Sequence, residues 1–160
     1  MSGPEPPRAA PATDKPLRRL SGAVHATLVL LVLQFILGAY AVAEVSYPTS
    51  ALSVSQYLMG KGNDVVLAHM ALAVLLLLVG LVALVLAFSA HRGGLTLETL
   101  LGLLFLVVAS SGGYQFLFVT YQSTMGLLLM VGGFVGALVV YILALVSTRR
   151  GLRSNPAVPA

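Results

Sequence analysis

Few side chains in this sequence could do chemistry. It has three histidines, His25, His69 and His91, and no cysteine. Lack of cysteine excludes disulfides, thiol redox chemistry, thiolate metal sites and covalent attachment of c-type haem. His69 stands apart from the other two. It lies just inside a run that begins at Asp64 and continues through Val74-Leu75-Leu76-Leu77-Leu78-Val79-Gly80, with no further ionisable group before His91. An ionisable side chain in such a run is a functional-site hypothesis, because hydrocarbon penalises it unless something offsets the cost.

Glu44, Tyr114, Gln115 and Met125 are the residues that could meet His69 at its depth. A His/Met pair is an established axial ligand set for haem iron. His69 with Met125 would therefore hold a b-type haem in the outer half of a helical bundle. The alternative is that His69 bonds Tyr114, Gln115 or a backbone carbonyl while Met125 fills core. A zinc site is disfavoured, since no His-x-x-x-His or Glu-x-x-His spacing occurs. A proton or ion path needs ionisable groups through the bilayer, whereas only Gln34 occupies its middle. Catalytic triads, phosphate-binding glycine loops and nucleotide fingerprints are absent.

The elements that must position these residues are membrane helices. The chain has 160 residues, 58% hydrophobic and 9% charged, with a mean hydropathy of +0.97. An ordinary soluble domain is about a quarter charged. Four apolar runs, at about residues 20–45, 65–90, 95–119 and 124–146, are each long enough to cross a ~30 Å hydrocarbon core as a helix. They are continuously apolar rather than alternating, which favours helices over a barrel. The expectation is an all-α integral membrane protein of the cell membrane, with an antiparallel four-transmembrane-helix bundle over 20–147. A Pro-rich tail at 1–19 is expected to be disordered, an outer loop spans 46–64, and a basic tail covers 148–160.

Charge sets the orientation. Of the nine basic residues, Arg8, Lys15, Arg18, Arg19, Arg92, Arg149, Arg150 and Arg153 fall on one side and Lys61 alone on the other. That is the positive-inside pattern, with both termini cytoplasmic. The same placement leaves no nucleic-acid patch. The N-terminal segment lacks the pattern of a cleaved signal peptide. In the outer loop, residues 49–59 read either as a short interfacial helix or as irregular chain. On the inner side, His91-Arg92-Gly93-Gly94 reads as a tight turn, Thr96 as a cap for the third span, and Glu98 as a charge favoured by the helix N-terminal dipole.

Depth separates the histidines. His25 is about one turn from the inner surface and His69 about one turn from the outer, some 15–20 Å apart along the membrane normal. They cannot ligate one haem together. His91 belongs to the turn outside the membrane. Gln34 and Gly38 share a face of the first span, with Gly38 permitting close approach and Gln34 able to bond across helices. Gly132-Phe134-Val135-Gly136, with Gly133 between, gives a small-xxx-small spacing suited to packing in the bundle or against a partner.

Val32-Leu33-Gln34-Phe35-Ile36-Leu37-Gly38-Ala39, the loop pair Tyr47-Pro48, and His69 followed by Ala71 and Ala73 together resemble one half of haem A synthase. The resemblance covers about residues 20–146. It implies a four-helix bundle that ligates haem through histidines at the outer ends of its second and fourth helices. His69 matches the first of these, but the fourth-helix position falls near Met125 and carries no histidine. The carboxylate expected one turn before the ligand is missing, with Val66 and Leu67 standing there, and Met70 follows His69 where Arg is common. The resemblance thus implies a haem b-binding or degenerate bundle. Three readings follow: a membrane haem-b protein or subunit of a respiratory or oxidase complex; a haem-free accessory subunit packing on a larger membrane complex through the Gly132/Gly136 face; and a degenerate haem A synthase-like enzyme. The first two are not enzymes. Expected partners are membrane lipids and respiratory-complex membrane subunits.

Overall fold

The computed structural model describes residues 15–44, 64–119 and 123–154. The Pro-rich tail, the outer loop with its expected interfacial segment, and the last residues lie outside the described residues. Within them the chain is helical: α1 Lys15–Glu44, α2 Asp64–Ser89, α3 Gly93–Tyr114, and α4 Thr124–Arg153, with a π-helical turn Gln115–Val119 continuing α3. All four helices are long and apolar enough to cross a membrane. Each packs on its neighbours in the chain, and α1 closes a ring against α4.

The ends of the helices differ from expectation where local chemistry extends them. α1 begins at Lys15 rather than near Leu20, because Pro16 falls in the first turn, where a missing N–H costs nothing. α4 runs on to Arg153, with Arg150 and Arg153 in its last turn, the end at which the macrodipole favours cations. Its start is capped by the Ser123 hydroxyl, which accepts the Gly126 N–H at 3.2 Å. The inner turn is tighter than expected. Gly93 already belongs to α3, and His91 takes the left-handed conformation, with φ at 53°. Arg92 rather than Thr96 is the N-cap residue; its carbonyl accepts the Thr96 N–H at 3.1 Å.

Burial shows how the helices seat. α1 buries Leu17, Leu20, Val24, Thr27, Leu31 and Ala41, and half-buried Gln34 and Gly38 complete the steps of three and four. α2 buries Val66, Leu76, Gly80, Ala83 and Ala87, with His69 and Ala73 half-buried in the same stripe. Both stripes are heptads of the kind that seat one helix along another. α4 inserts an extra four-residue step between Ala137 and Tyr141, a local break in the seven-residue period. That break brings Tyr141, the largest fully buried side chain, into the core. Its ring lies over Gly102, where a Cβ would stand 2.8 Å from Cε2, and its hydroxyl over Gly80, where a Cβ would stand 2.9 Å away.

Small residues let α3 and α4 come closest. An added Cβ on Gly112 would strike the Met130 backbone, and one on Gly133 would strike the Ala109 nitrogen at 2.5 Å. The buried threonine hydroxyls within the apolar spans are satisfied inside their own helix. Thr27, Thr99 and Thr148 donate to the carbonyls of Ala23, Leu95 and Ala144, as hydrocarbon requires. Only 17–22% of each span's most apolar window is buried, so most of the helix surface faces outward from the chain.

Candidate functional site

His69 enters the bundle from the first turns of α2, in the buried stripe that faces α1. It meets two residues one turn apart on that helix. Gln34 Nε2–H donates to His69 Nε2 at 3.1 Å. The ring edge between its two nitrogens presses on Gly38, where a Cβ would lie 2.9 Å from Cε1 and 3.5 Å from Nδ1. Gly38 is therefore the gap in α1 that the imidazole fills. Because Nε2 accepts, the neutral ring carries its proton on Nδ1. That nitrogen and Gln34 Oε1 are both buried without a hydrogen-bond partner, one donor and one acceptor left over from a single contact.

The other candidates lie elsewhere. Tyr114 is 56% exposed and packs its ring on Phe118, with centroids 5.4 Å apart. Tyr114 and Gln115 line an open cleft with Ser110, Ser111 and Leu129, on the α3–α4 side of the ring. Met125 is 60% exposed. Glu44 ends α1, and its side chain lies outside the described residues. His69 is thus assigned to the α1–α2 seam, and Tyr114, Gln115 and Met125 to α3 and α4. Of the packing glycines, Gly38 meets His69 and Gly136 meets the Phe105 ring, whereas a Cβ on Gly132 would have nothing within 4 Å.

An axial haem ligand needs its imidazole nitrogen about 2 Å from the metal and open space beyond it. Here Gln34 stands in front of Nε2, and Gly38 closes the edge beside it. With Met125 on an exposed face, the described residues do not fit a haem at His69 as the helices are packed.

The chain matches no family model, no curated protein and no solved structure.

The remaining polar side chains gather at the other end of the bundle. His25 Nδ1–H donates to the Ser21 carbonyl at 2.8 Å, and its Nε2 accepts from Arg149 at 2.9 Å. His25, near the inner end of α1, thus links that helix to α4. Glu98 accepts the Ser147 hydroxyl at 2.8 Å, and its second oxygen is buried without a partner. His91 is exposed and donates from Nδ1 to the Ser89 carbonyl at 2.9 Å.

The partner of His69 is none of the residues at matching depth near the outer ends of the other helices, but Gln34, a turn deeper on α1 than Gly38. The signal was present: Gln34 and Gly38 are an i, i+4 pair on one face, a hydrogen-bonding group beside a gap of the size an imidazole needs.

Proposed function

We propose that this chain is a multi-pass protein of the cell membrane, its helices antiparallel and both termini cytoplasmic, serving as a haem-free accessory subunit of a larger respiratory membrane complex. The cross-helix pairs support the antiparallel order. His25, early in α1, meets Arg149, late in α4, and Glu98, early in α3, meets Ser147 on α4. Gly38 late in α1 meets His69 early in α2. The basic residues Lys15, Arg18, Arg19, Arg92, Arg149, Arg150 and Arg153 then share one side, the cytoplasmic one by the positive-inside rule.

The observation that carries the haem-free reading is the orientation of His69. Its nitrogen edge is spent on Gln34 and Gly38, which makes it a polar tie between two helices, a use for which intramembrane histidine and glutamine are suited. The accessory role is supported by the open surface at Gly132, flanked by Leu128 at 62% and Val135 at 49% exposure, where a partner helix could approach closely. The resemblance to haem A synthase directs the reading to the respiratory chain.

A second reading is favoured by one observation, the buried Nδ1 of His69 that has no partner. In it the chain holds a b-type haem through His69, possible only if the ring leaves Gln34. Bound haem would supply one-electron chemistry. One experiment separates the two. The full chain, purified in mild detergent from a host supplied with haem, is expected to show no Soret band, and Gly132→Leu is expected to reduce its cross-linking to neighbouring membrane subunits. A Soret band that disappears in His69→Ala overturns the haem-free reading. Unchanged cross-linking in Gly132→Leu overturns the proposed docking face.

A further inference from the structure

The basic end of the bundle holds an arrangement that a topology signal alone does not require. On α1, Arg18, Gly22 and His25 lie within about 60° of one another around the helix axis. On α4, Arg149 and Arg153 are one turn apart on a shared face. The two faces meet, because Arg149 Nη2 donates to His25 Nε2 at 2.9 Å. Arg18, Gly22, Arg149 and Arg153 are all exposed. Between them the floor is open, since a Cβ on Gly22 would have nothing within 4 Å.

Among the described residues, no carboxylate neutralises the charge in this notch. His25 gives its Nδ1–H to the Ser21 carbonyl, so it holds Arg149 as a neutral acceptor and leaves the guanidinium its full charge. Arg149 keeps further N–H donors beyond the one His25 takes. Apart from Glu98, the charged described residues of this end are all basic. Glu98 accepts the Ser147 hydroxyl with one oxygen and buries the other. Toward the middle of the membrane the same seam turns apolar, with Val29 at 60%, Ile142 at 46% and Val146 at 39% exposure.

We propose that the α1–α4 notch formed by Arg18, Gly22, His25, Arg149 and Arg153 binds the phosphate of an anionic glycerophospholipid, with an acyl chain lying along Val29, Ile142 and Val146. Arginine forks match phosphate oxygens in geometry as well as charge. The neutral His25 is a positioning residue: it holds one Arg149 nitrogen so that the others face the notch. The glycine leaves the headgroup room against the α1 backbone. The apolar track selects a lipid over a free anion. Basic residues near a membrane surface attract anionic lipid generally, at about 1 kcal/mol each. The notch differs from that background in depending on position rather than on count.

The test uses the full chain in nanodiscs, titrated with dioleoylphosphatidylglycerol against a dioleoylphosphatidylcholine background, with bound lipid read by native mass spectrometry. Preferential retention of phosphatidylglycerol is expected. Arg149→Gln should weaken it at least about thirty-fold, the equivalent of ~2 kcal/mol and well beyond the background of one charge. Arg19→Gln, which removes the same charge one position round the helix from Arg18, should weaken it no more than about five-fold, the background of one charge. Gly22→Leu changes no charge and meets no neighbour at Cβ, so it should fold normally and still lose binding by about five-fold or more. Inorganic phosphate at millimolar concentration should not displace the lipid. Equal losses in Arg149→Gln and Arg19→Gln, full retention in Gly22→Leu, displacement by inorganic phosphate, or no preference for phosphatidylglycerol would each overturn the proposal.

Discussion

Tyr141 and Gly80 give the most discriminating test of how the bundle core is built. A methyl group at Gly80 would stand 2.9 Å from the Tyr141 hydroxyl, with Leu106 Cδ1 at 3.1 Å and Leu103 Cδ1 at 3.3 Å. The leucine ends can give by a few tenths of an ångström. The hydroxyl is carried by a rigid ring whose other side faces Gly102, so it cannot. Overpacking a filled core costs about 1–3 kcal/mol, while Gly→Ala within a helix returns about 0.5–1 kcal/mol. Gly80→Ala should therefore destabilise the protein by up to about 2 kcal/mol. Tyr141→Phe alone removes a buried hydroxyl that has no partner, and should leave stability unchanged or raise it by up to about 1 kcal/mol. In the Tyr141→Phe background the obstructing atom is gone. Gly80→Ala should then be nearly neutral, a coupling of about 1–2 kcal/mol in a double-mutant cycle. Gly102→Ala provides the comparison, because its methyl would meet Cε2 at 2.8 Å and Cζ at 2.9 Å, ring carbons that phenylalanine keeps. Tyr141→Phe should not relieve it. Unfolding of each variant in mixed micelles, followed by helical circular dichroism against SDS mole fraction, measures all the terms. Equal cost of Gly80→Ala in both backgrounds, or equal relief of Gly102→Ala, would refute this account of the core.

Other predictions follow from the contacts at the seams. Gly133→Ala should destabilise more than Gly80→Ala, because its methyl meets α3 backbone rather than a side-chain tip; the same unfolding assay decides this. Glu98→Gln keeps an acceptor for the Ser147 hydroxyl and should cost less than about 0.5 kcal/mol, whereas Glu98→Leu should cost about 1 kcal/mol, the usual worth of one hydrogen bond. Gln34→Leu and His69→Leu should show a coupling of about 0.6 kcal/mol and no more than ~2 kcal/mol, the range for interhelical hydrogen bonds in membranes.

The four spans were legible because hydrophobic length is a one-dimensional property that bilayer thickness reads directly. The seven-residue steps through Leu17, Leu20, Val24 and Thr27 are likewise in the sequence, but so apolar a helix offers no polar face to show which side is inward. For that reason Gly132 and Gly136 drew attention as a pair, while the tightest backbone approaches fall at Gly112 and Gly133. His69 was recognisable as the residue most in need of a partner. The partner itself was not, because Gln34 lies a turn deeper than the level of His69 and is reached only across the gap at Gly38. Asp64 to His69 and Gly38 to Glu44 span similar lengths of helix, and the ring sits level with Gly38 and within reach of Gln34. Nothing in the sequence around Tyr141 marks it as core, because the extra four-residue step in α4 that turns it inward interrupts the heptad.

The polar tie at His69 also answers a question of alignment. An aliphatic heptad seam has little to distinguish one seating from another displaced by seven residues, about 10 Å along the axis. In the antiparallel seating proposed here, His69 lies opposite Gly38. A slide of one heptad would bring Leu31 to that place, driving imidazole against a branched side chain, and would move Gln34 out of its reach. Both polar groups would then face hydrocarbon unpaired, at a cost far above what the tie contributes when made. A contact that adds little to the stability of the correct pairing can still exclude the wrong one, so the tie singles out one alignment of α1 on α2.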